Sequence, residues 1–347
     1  MKDEMDRREF LKYSLVTGAL IASEGIMSDM MAQAATGTTE VEKLSLWVVT
    51  DNYFDTNVKD VRITKRYRAM AGKMIHAEHG LSFYVETVVN GKTNACMYDF
   101  GVDPVGVMNN IALLGIDVGK VRSFGLSHGH WDHYASAVSI LTQNKSRIAQ
   151  GTPFYVGEEA FARRYRPLPG TTQFRDMGQL RKEDIEALGL KVVEVRTLTE
   201  IVPGAYFTGN IERVTGYESI PQTQFQIKRG DKMELDIFPG EQGVFFNVKG
   251  KGLVVISGCA HAGIVNTVKH AQKVAGTDKI HAIIGGFHLI NVDPAIIQKS
   301  VADIKAMKPD YIVSTHCTGF EAIVAFSREM PNEFVLNTAG TQYTFTA

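Results

Sequence analysis

Four short apolar stretches of this 347-residue chain end on histidine. "VRSFGLSHGH" delivers His128 and His130, "LVVISGCAH" delivers His261, "AIIGGFH" delivers His288 and "DYIVSTH" delivers His316. Runs of this length, rich in β-branched residues, read as strands. Binding sites in open α/β sheets gather at the carboxyl ends of strands. A fold that suits this sequence therefore brings these strand ends to one mouth. Scattered core or surface histidines would not repeat the placement.

The surrounding pattern supplies such a frame. "KLSLWVVTDN" (43–52) alternates apolar and polar residues like a half-buried strand. "LSFYVETVVNGKTNACMYDFG" (81–101) reads as two strands joined by an Asn90-Gly91 turn. A helix is predicted in "DPVGVMNNIALLGI" and another in "YASAVSILTQ", on either side of the strand before His128. Residues 151–235 are less regular: a strand "PFYVG", a predicted helix "EEAFARRY", a Pro/Gly-rich loop and a strand "LKVVEVR". This stretch is expected to be a substrate-side insertion. From "GVFFNVKGKGLVVISG" onward, a hairpin leads into alternating helices and strands. Two β-rich halves, each followed by helices, predict an α/β (α+β) fold of two sheets packed face to face with helices outside.

The densest chemical signal is "LSHGHWDH" (126–133), with His128, His130, Asp132 and His133 inside six positions. Imidazole and carboxylate hold zinc, iron or manganese without thiolate. At a loop-to-helix turn, His128 and His130 can reach one cation while Asp132 and His133 reach a second. Two such ions ~3.5–4 Å apart share a water, lower its pKa and clamp attacking and leaving oxygens.

A formal net charge of −1 gives no reason to expect nucleic acid or an anionic membrane as partner. Three cysteines, Cys96, Cys259 and Cys317, are too few for a disulfide framework. The first 34 residues stand apart. "DRREFLK", with Arg7 and Arg8, and the weakly apolar run after it resemble a twin-arginine export signal, with Ala32-Gln33-Ala34 as cleavage site. The apolar run is shorter than the ~20 residues of a spanning helix, so no stable membrane anchor is expected. The expectation is a periplasmic or otherwise exported protein, carried by the twin-arginine machinery, with a single domain over 35–347.

His128-Gly129-His130-Trp131-Asp132-His133 resembles the signature of the metallo-β-lactamase-fold superfamily, joined by Asp99 in "CMYDFG" and His316 in "STHCTG". That resemblance implies a four-layer αββα sandwich with a binuclear metal site. "EHGLSFYVE", "TGNIER", "SGCAHAGIVNT", "IIGGFHL" and "THCTG" are, in order, similar to the dihydropterin-ribofuranosylaminobenzene-phosphate synthase-like branch. Two departures stand out. The Gly-Asp whose carboxylate bridges the metals in most members reads Gly258-Cys259-Ala260-His261 here, which leaves His261 as the preferred ligand and Cys259 as the fallback. The usual histidine before "GVFFN" is missing from "FPGEQ", which offers only Glu241.

The resemblance thus implies a metal set of His128, His130, Asp132, His133, His261 and His316. Asp99 is expected to orient ligand histidines, and Cys317 to be a buried thiol or to pair with Cys259 after export. His288 and Asp132 are the candidate catalytic groups; His79 and Arg213 are candidates for substrate contact. The expected activity is hydrolysis of a phosphoester, lactone or thioester-like small molecule by hydroxide held on two divalent ions, zinc first, with iron or manganese as alternatives. His133 directly after Asp132 points away from antibiotic hydrolysis. Two other readings stand beside it: a transferase of the synthase type, displacing diphosphate, and a non-catalytic metal or ligand sensor.

Overall fold

A computed structural model describes residues 37–219 and 225–347, and residues 39–347 form one compact unit. The export signal expected at 1–34 lies outside the described residues. Among those described, no helix is long and apolar enough to cross a membrane.

Asn90 and Gly91 both take positive φ (50° and 69°), the turn that joins Ser82–Val89 to Lys92–Tyr98 without splaying the strands. This hairpin is the middle of an eight-stranded sheet. Its order is Lys191–Val195, Pro153–Gly157, Val121–Gly125, Lys92–Tyr98, Ser82–Val89, Lys43–Thr50, Thr341–Thr346 and Thr64–Arg66. The second sheet runs Thr199–Val202, Ala205–Phe207, Gly243–Val248, Gly252–Ser257, Ile280–Gly286 and Tyr311–Thr315, with Glu40–Val41 also paired to Gly243–Val248.

Side-chain alternation sorts these strands into layers. In Lys92–Tyr98, Cys96 and Tyr98 join the core between the sheets, whereas Ala95 and Met97 face a second core under the helices Pro104–Leu113 and Ala137–Asn144. In the other sheet Val254 and Ile256 face the shared core. Leu253 and Val255 face a third core, against Ile264–Ala275, Pro294–Ala306 and Phe320–Glu329. The result is the αββα sandwich. It corrects one expectation: Lys43–Thr50 is buried on both faces, because helices cover the side that alternation assigned to solvent.

Residues 151–235 are only partly an addition to this frame. Pro153–Gly157 and Lys191–Val195 extend the first sheet, and Thr199–Val202 and Ala205–Phe207 belong to the second. Arg164–Pro167, Phe174–Asp176, Gln226–Arg229 and Lys232–Leu235 form a separate four-stranded sheet. The helix predicted for "EEAFARRY" does not form: turns lead directly into the strand Arg164–Pro167. The cause is Arg164, whose buried guanidinium donates to the carbonyls of Gly129, Glu159 and Ala162 and pairs with Asp236 (Nε–Oδ2 2.6 Å). Carbonyls turned toward one guanidinium are lost to a helical ladder.

Candidate metal centre

The strand Val121–Gly125 feeds the loop that carries His128 and His130, and His130 is the N-cap of the one-turn helix Trp131–Tyr134. This loop lies hard against its neighbours. A Cβ on Gly129 would stand 2.0 Å from the carbonyl oxygen of Ala160, so only glycine fits. The turn sends His128 and His130 to one side, and Asp132 and His133 to the other.

Two groups of buried ligand atoms result, each lying within 4.8 Å of one another. The first is His128, His130 and His261; the second is Asp132, His133, Cys259 and His316. In the first, His128 Nε2 and His261 Nε2 approach to 3.2 Å. In the second, His133 Nε2 lies 3.1 Å from Cys259 Sγ and 3.6 Å from Asp132 Oδ2, and His316 Nε2 is 3.3 Å from that same oxygen. His261 and Cys259, alternatives in the sequence, fall one into each of these two groups. A third overlapping group, Cys259, His261 and His288, links them.

These spacings suit cations. A tetrahedral site with bonds of about 2.0–2.3 Å has edges of roughly 3.3–3.7 Å, close to the separations seen here. His130 Nε2 is buried and has no hydrogen-bond partner among the described residues, a costly state for a polar atom unless an ion takes its lone pair. The residues present fit metal binding.

The opposite edges of the rings are held from behind. Asp99 accepts from Ser127 N (2.7 Å) and Ser127 Oγ (2.7 Å), and its Oδ2 lies 2.7 Å from His133 Nδ1. Ser127 Oγ lies 2.9 Å from His128 Nδ1. With the Ser127 hydroxyl proton given to Asp99, this network assigns the Nδ1–H tautomer to both histidines and leaves each Nε2 lone pair facing inward. His316 is fixed through its backbone: its N–H donates to Asp51 Oδ1 (3.1 Å), while Thr315 and Asn337 hold the other oxygen. Asn52 donates to the His316 carbonyl.

Two sequence-based assignments change. Glu241 lies outside the ligand groups: its carboxylate accepts from the backbone N–H groups of His261 (2.8 Å) and Ala262 (2.6 Å), fixing the turn that presents His261. Arg213 spends its guanidinium on the carbonyls of His261 (3.0 Å) and Ile237 (2.8 Å), which supports the same turn rather than a substrate anion. Cys317 is buried and outside any disulfide, as expected, and so is Cys259, whose carbonyl lies 3.5 Å from Cys317 Sγ. His79 stacks on His316 at a centroid distance of 5.1 Å and is half exposed in the cleft. His288 lies at 4.1 Å from the His261 ring and also lines the cleft. Sequence reasoning missed Asp51, Ser127 and Phe238, which stacks on His261 at 4.0 Å and 7°.

Burial sets the charge states of the first group: desolvation drives His128, His130 and His261 well below the ordinary histidine range, so all three are neutral. The second group is governed by its neighbours. Burial opposes the charge on His133, but Asp99 and Asp132 outweigh it and raise its pKa. His316 is likewise desolvated, yet Cys317 and Asp132 push it up to about 9. Asp132 stays ionised well below the usual carboxylate range, because His133 and His316 overcome its desolvation.

The ligand groups open into one cleft of about 720 Å³, which exposes Asp132, Cys259, His288 and Cys317 on one side and residues of the four-stranded sheet on the other. No family model matches the chain. Over 260 residues it is 31% identical to the 7,8-dihydropterin-6-methyl-4-(β-D-ribofuranosyl)-aminobenzene-5'-phosphate synthase of Methanocaldococcus jannaschii, covering 74% of this chain and 87% of that protein. The chain belongs to this synthase family.

An uncharacterised protein of the same organism is 27% identical over 274 residues, covering 78% of this member of the synthase family and 94% of the other chain. Among solved structures, a metal-dependent hydrolase of the β-lactamase superfamily matches with a TM-score of 0.68 at 23% identity, covering 88% of this chain and all of that one. That likeness shows the metallo-β-lactamase fold. Family and fold together make the protein an enzyme.

Proposed function

We propose that this member of the synthase family is a metal-dependent hydrolase of a phosphoester, lactone or thioester-like small molecule. One observation carries the reading: two groups of buried ligand atoms lie side by side at one cleft large enough for a small-molecule substrate. His128, His130 and His261 would hold one divalent cation. Asp132, His133, Cys259 and His316 would hold a second. Mixed imidazole, carboxylate and thiolate ligands favour zinc, with iron or manganese as alternatives. When bound, such ions supply Lewis acidity, acidifying water and neutralising negative charge that develops on oxygen.

The chain's own groups do the rest. Asp132, ionised and facing the cleft, is placed to orient the attacking water by accepting a hydrogen bond from it. His288, raised above the ordinary histidine range because the Cys317 beside it outweighs its desolvation, lines the cleft and is placed to give a proton to the leaving oxygen. Asp99 and Ser127 keep the His133 and His128 rings from rotating.

A second reading is favoured by the 31% identity to the synthase. There the bond to a diphosphate leaving group breaks as an aryl carbon or nitrogen forms the new bond, with no water consumed. Export through the signal at Arg7 and Arg8, which we also propose, would separate the enzyme from cytosolic pterin diphosphates and so favours hydrolysis. Metal analysis combined with a substrate screen tests the reading. The purified protein should hold about two ions per chain and turn over phosphodiester or lactone probes, and Asp132→Ala and His261→Ala should each lose metal and activity. Diphosphate release from a pterin diphosphate, with no hydrolysis of the probes, would replace hydrolase by transferase.

A further inference from the structure

The four-stranded sheet carries four arginines within its strands, and they divide into two kinds. Arg164 is buried against Asp236, and Arg229 pairs with Glu159 and Glu234. Arg166 and Arg175 have no carboxylate and no side-chain hydrogen bond among the described residues. They are nevertheless direct cross-strand partners in the antiparallel ladder of Arg164–Pro167 and Phe174–Asp176. Residues opposite one another in such a ladder point to the same face with Cβ atoms about 4.5–5.5 Å apart, and like charges there repel. Asp176, the nearest acid in sequence, does not offset them, because Arg163 holds both of its oxygens.

Both arginines line the cleft onto which the metal-ligand groups open. A folded protein that keeps two unpaired guanidiniums opposite each other on the wall of its substrate cleft gains nothing in stability from them. Two forks converging from adjacent strands do match the oxygens of a tetrahedral dianion. We propose that Arg166 and Arg175 form an anion subsite that takes a phosphate-monoester group of the substrate, separate from the bond that is cleaved. The inference rests on the cleft being the substrate site and gives that reading a substrate class. Trp131 and Phe225 line the same cleft and supply aromatic surface to it.

Calorimetric titration of the metal-loaded protein with phenylphosphonate, a phosphate-monoester mimic with no ester bond to cleave, tests it, with benzoate as the monoanionic control. The Arg166→Gln/Arg175→Gln variant should bind phenylphosphonate about tenfold more weakly or worse, with metal content unchanged and melting temperature equal or higher as repulsion is relieved. Arg166→Lys/Arg175→Lys, which keeps the charge but loses the fork, should fall between. Unchanged affinity in the glutamine variant overturns the proposal. So does a lowered melting temperature, which would make the pair structural, or benzoate binding as tightly as phenylphosphonate. Should the double variant not fold, Arg166→Gln and Arg175→Gln singly give the same readout. Binding is measured without turnover. A protein that binds through the arginines but hydrolyses no probe overturns only the hydrolase reading, whereas an active hydrolase whose binding ignores the arginines overturns only this one.

Discussion

Asp99 controls more of the centre than any residue that would touch a metal. Through Ser127 and His133 Nδ1 it fixes two rings, one in each ligand group. Replacing it by asparagine puts an amide, half of it a donor, where both oxygens accept. Asp99→Asn should weaken metal binding about 10–100-fold in a chelator competition, with the second group losing its ion first. The two groups also differ in their response to pH. His128, His130 and His261 are neutral already, so a cation entering there displaces no proton. His316, at about 9, and the desolvated Cys259 thiol must each lose a proton to bind. Lowering the pH below about 9 therefore weakens the second group and spares the first. Metal titrations in weak buffer should show one ion bound near pH 6 and two near pH 8.5, with protons released only in the second step. Simultaneous filling without proton release would contradict this assignment. At this scale the sequence exposes the atoms that can bind a metal, because H-x-H-x-D-H has few other uses. It hides the residues behind them: Asp51 ends a strand just as Asp99 does and could have been found by that parallel, whereas nothing marks Phe238.

Elements were legible where local chemistry alone decides them. The Asn90-Gly91 hairpin, the strand before His128 and the alternation after residue 264 follow from turn residues and apolar periodicity, and each forms as expected. The helix predicted over 158–165 fails because a distant acid, Asp236, draws Arg164 into the interior, and no local propensity reports a partner 72 residues away. That buried pair also supports the metal loop, since Arg164 donates to the Gly129 carbonyl (3.0 Å). Arg164→Met should cost about 3–5 kcal/mol of folding stability, mostly from the charge left on Asp236, measured by denaturant unfolding. Asp236→Asn in the same background should recover part of it. If the single variant unfolds at the wild-type midpoint, the pair does not hold the loop.

Across the whole molecule the two sheets meet through aromatic contacts beneath the centre. Phe207, from the second sheet, is fully buried and packs edge-on against Tyr98 of the first at 5.9 Å. A Cβ on Gly125, three residues before His128, would stand 2.6 Å from its ring. Phe207→Ala opens a cavity at this junction and should cost about 3–5 kcal/mol, read as a lowered unfolding midpoint. A loss under about 1 kcal/mol would mean that the sheets close the gap without it. The layered order was readable from the sequence because two β-rich halves, each followed by helices, allow few other packings.

The separate four-stranded sheet has a consequence for how such a protein can change. Everything that would grip a cation sits on the sandwich, while one wall of the cleft, with Arg166 and Arg175, comes from a small sheet built within 164–235. Selection acting on that stretch alone can retune which molecules are admitted while the reactive apparatus is inherited intact. Descendants sharing an ancestor's chemistry can in this way diverge in diet without relearning how to react.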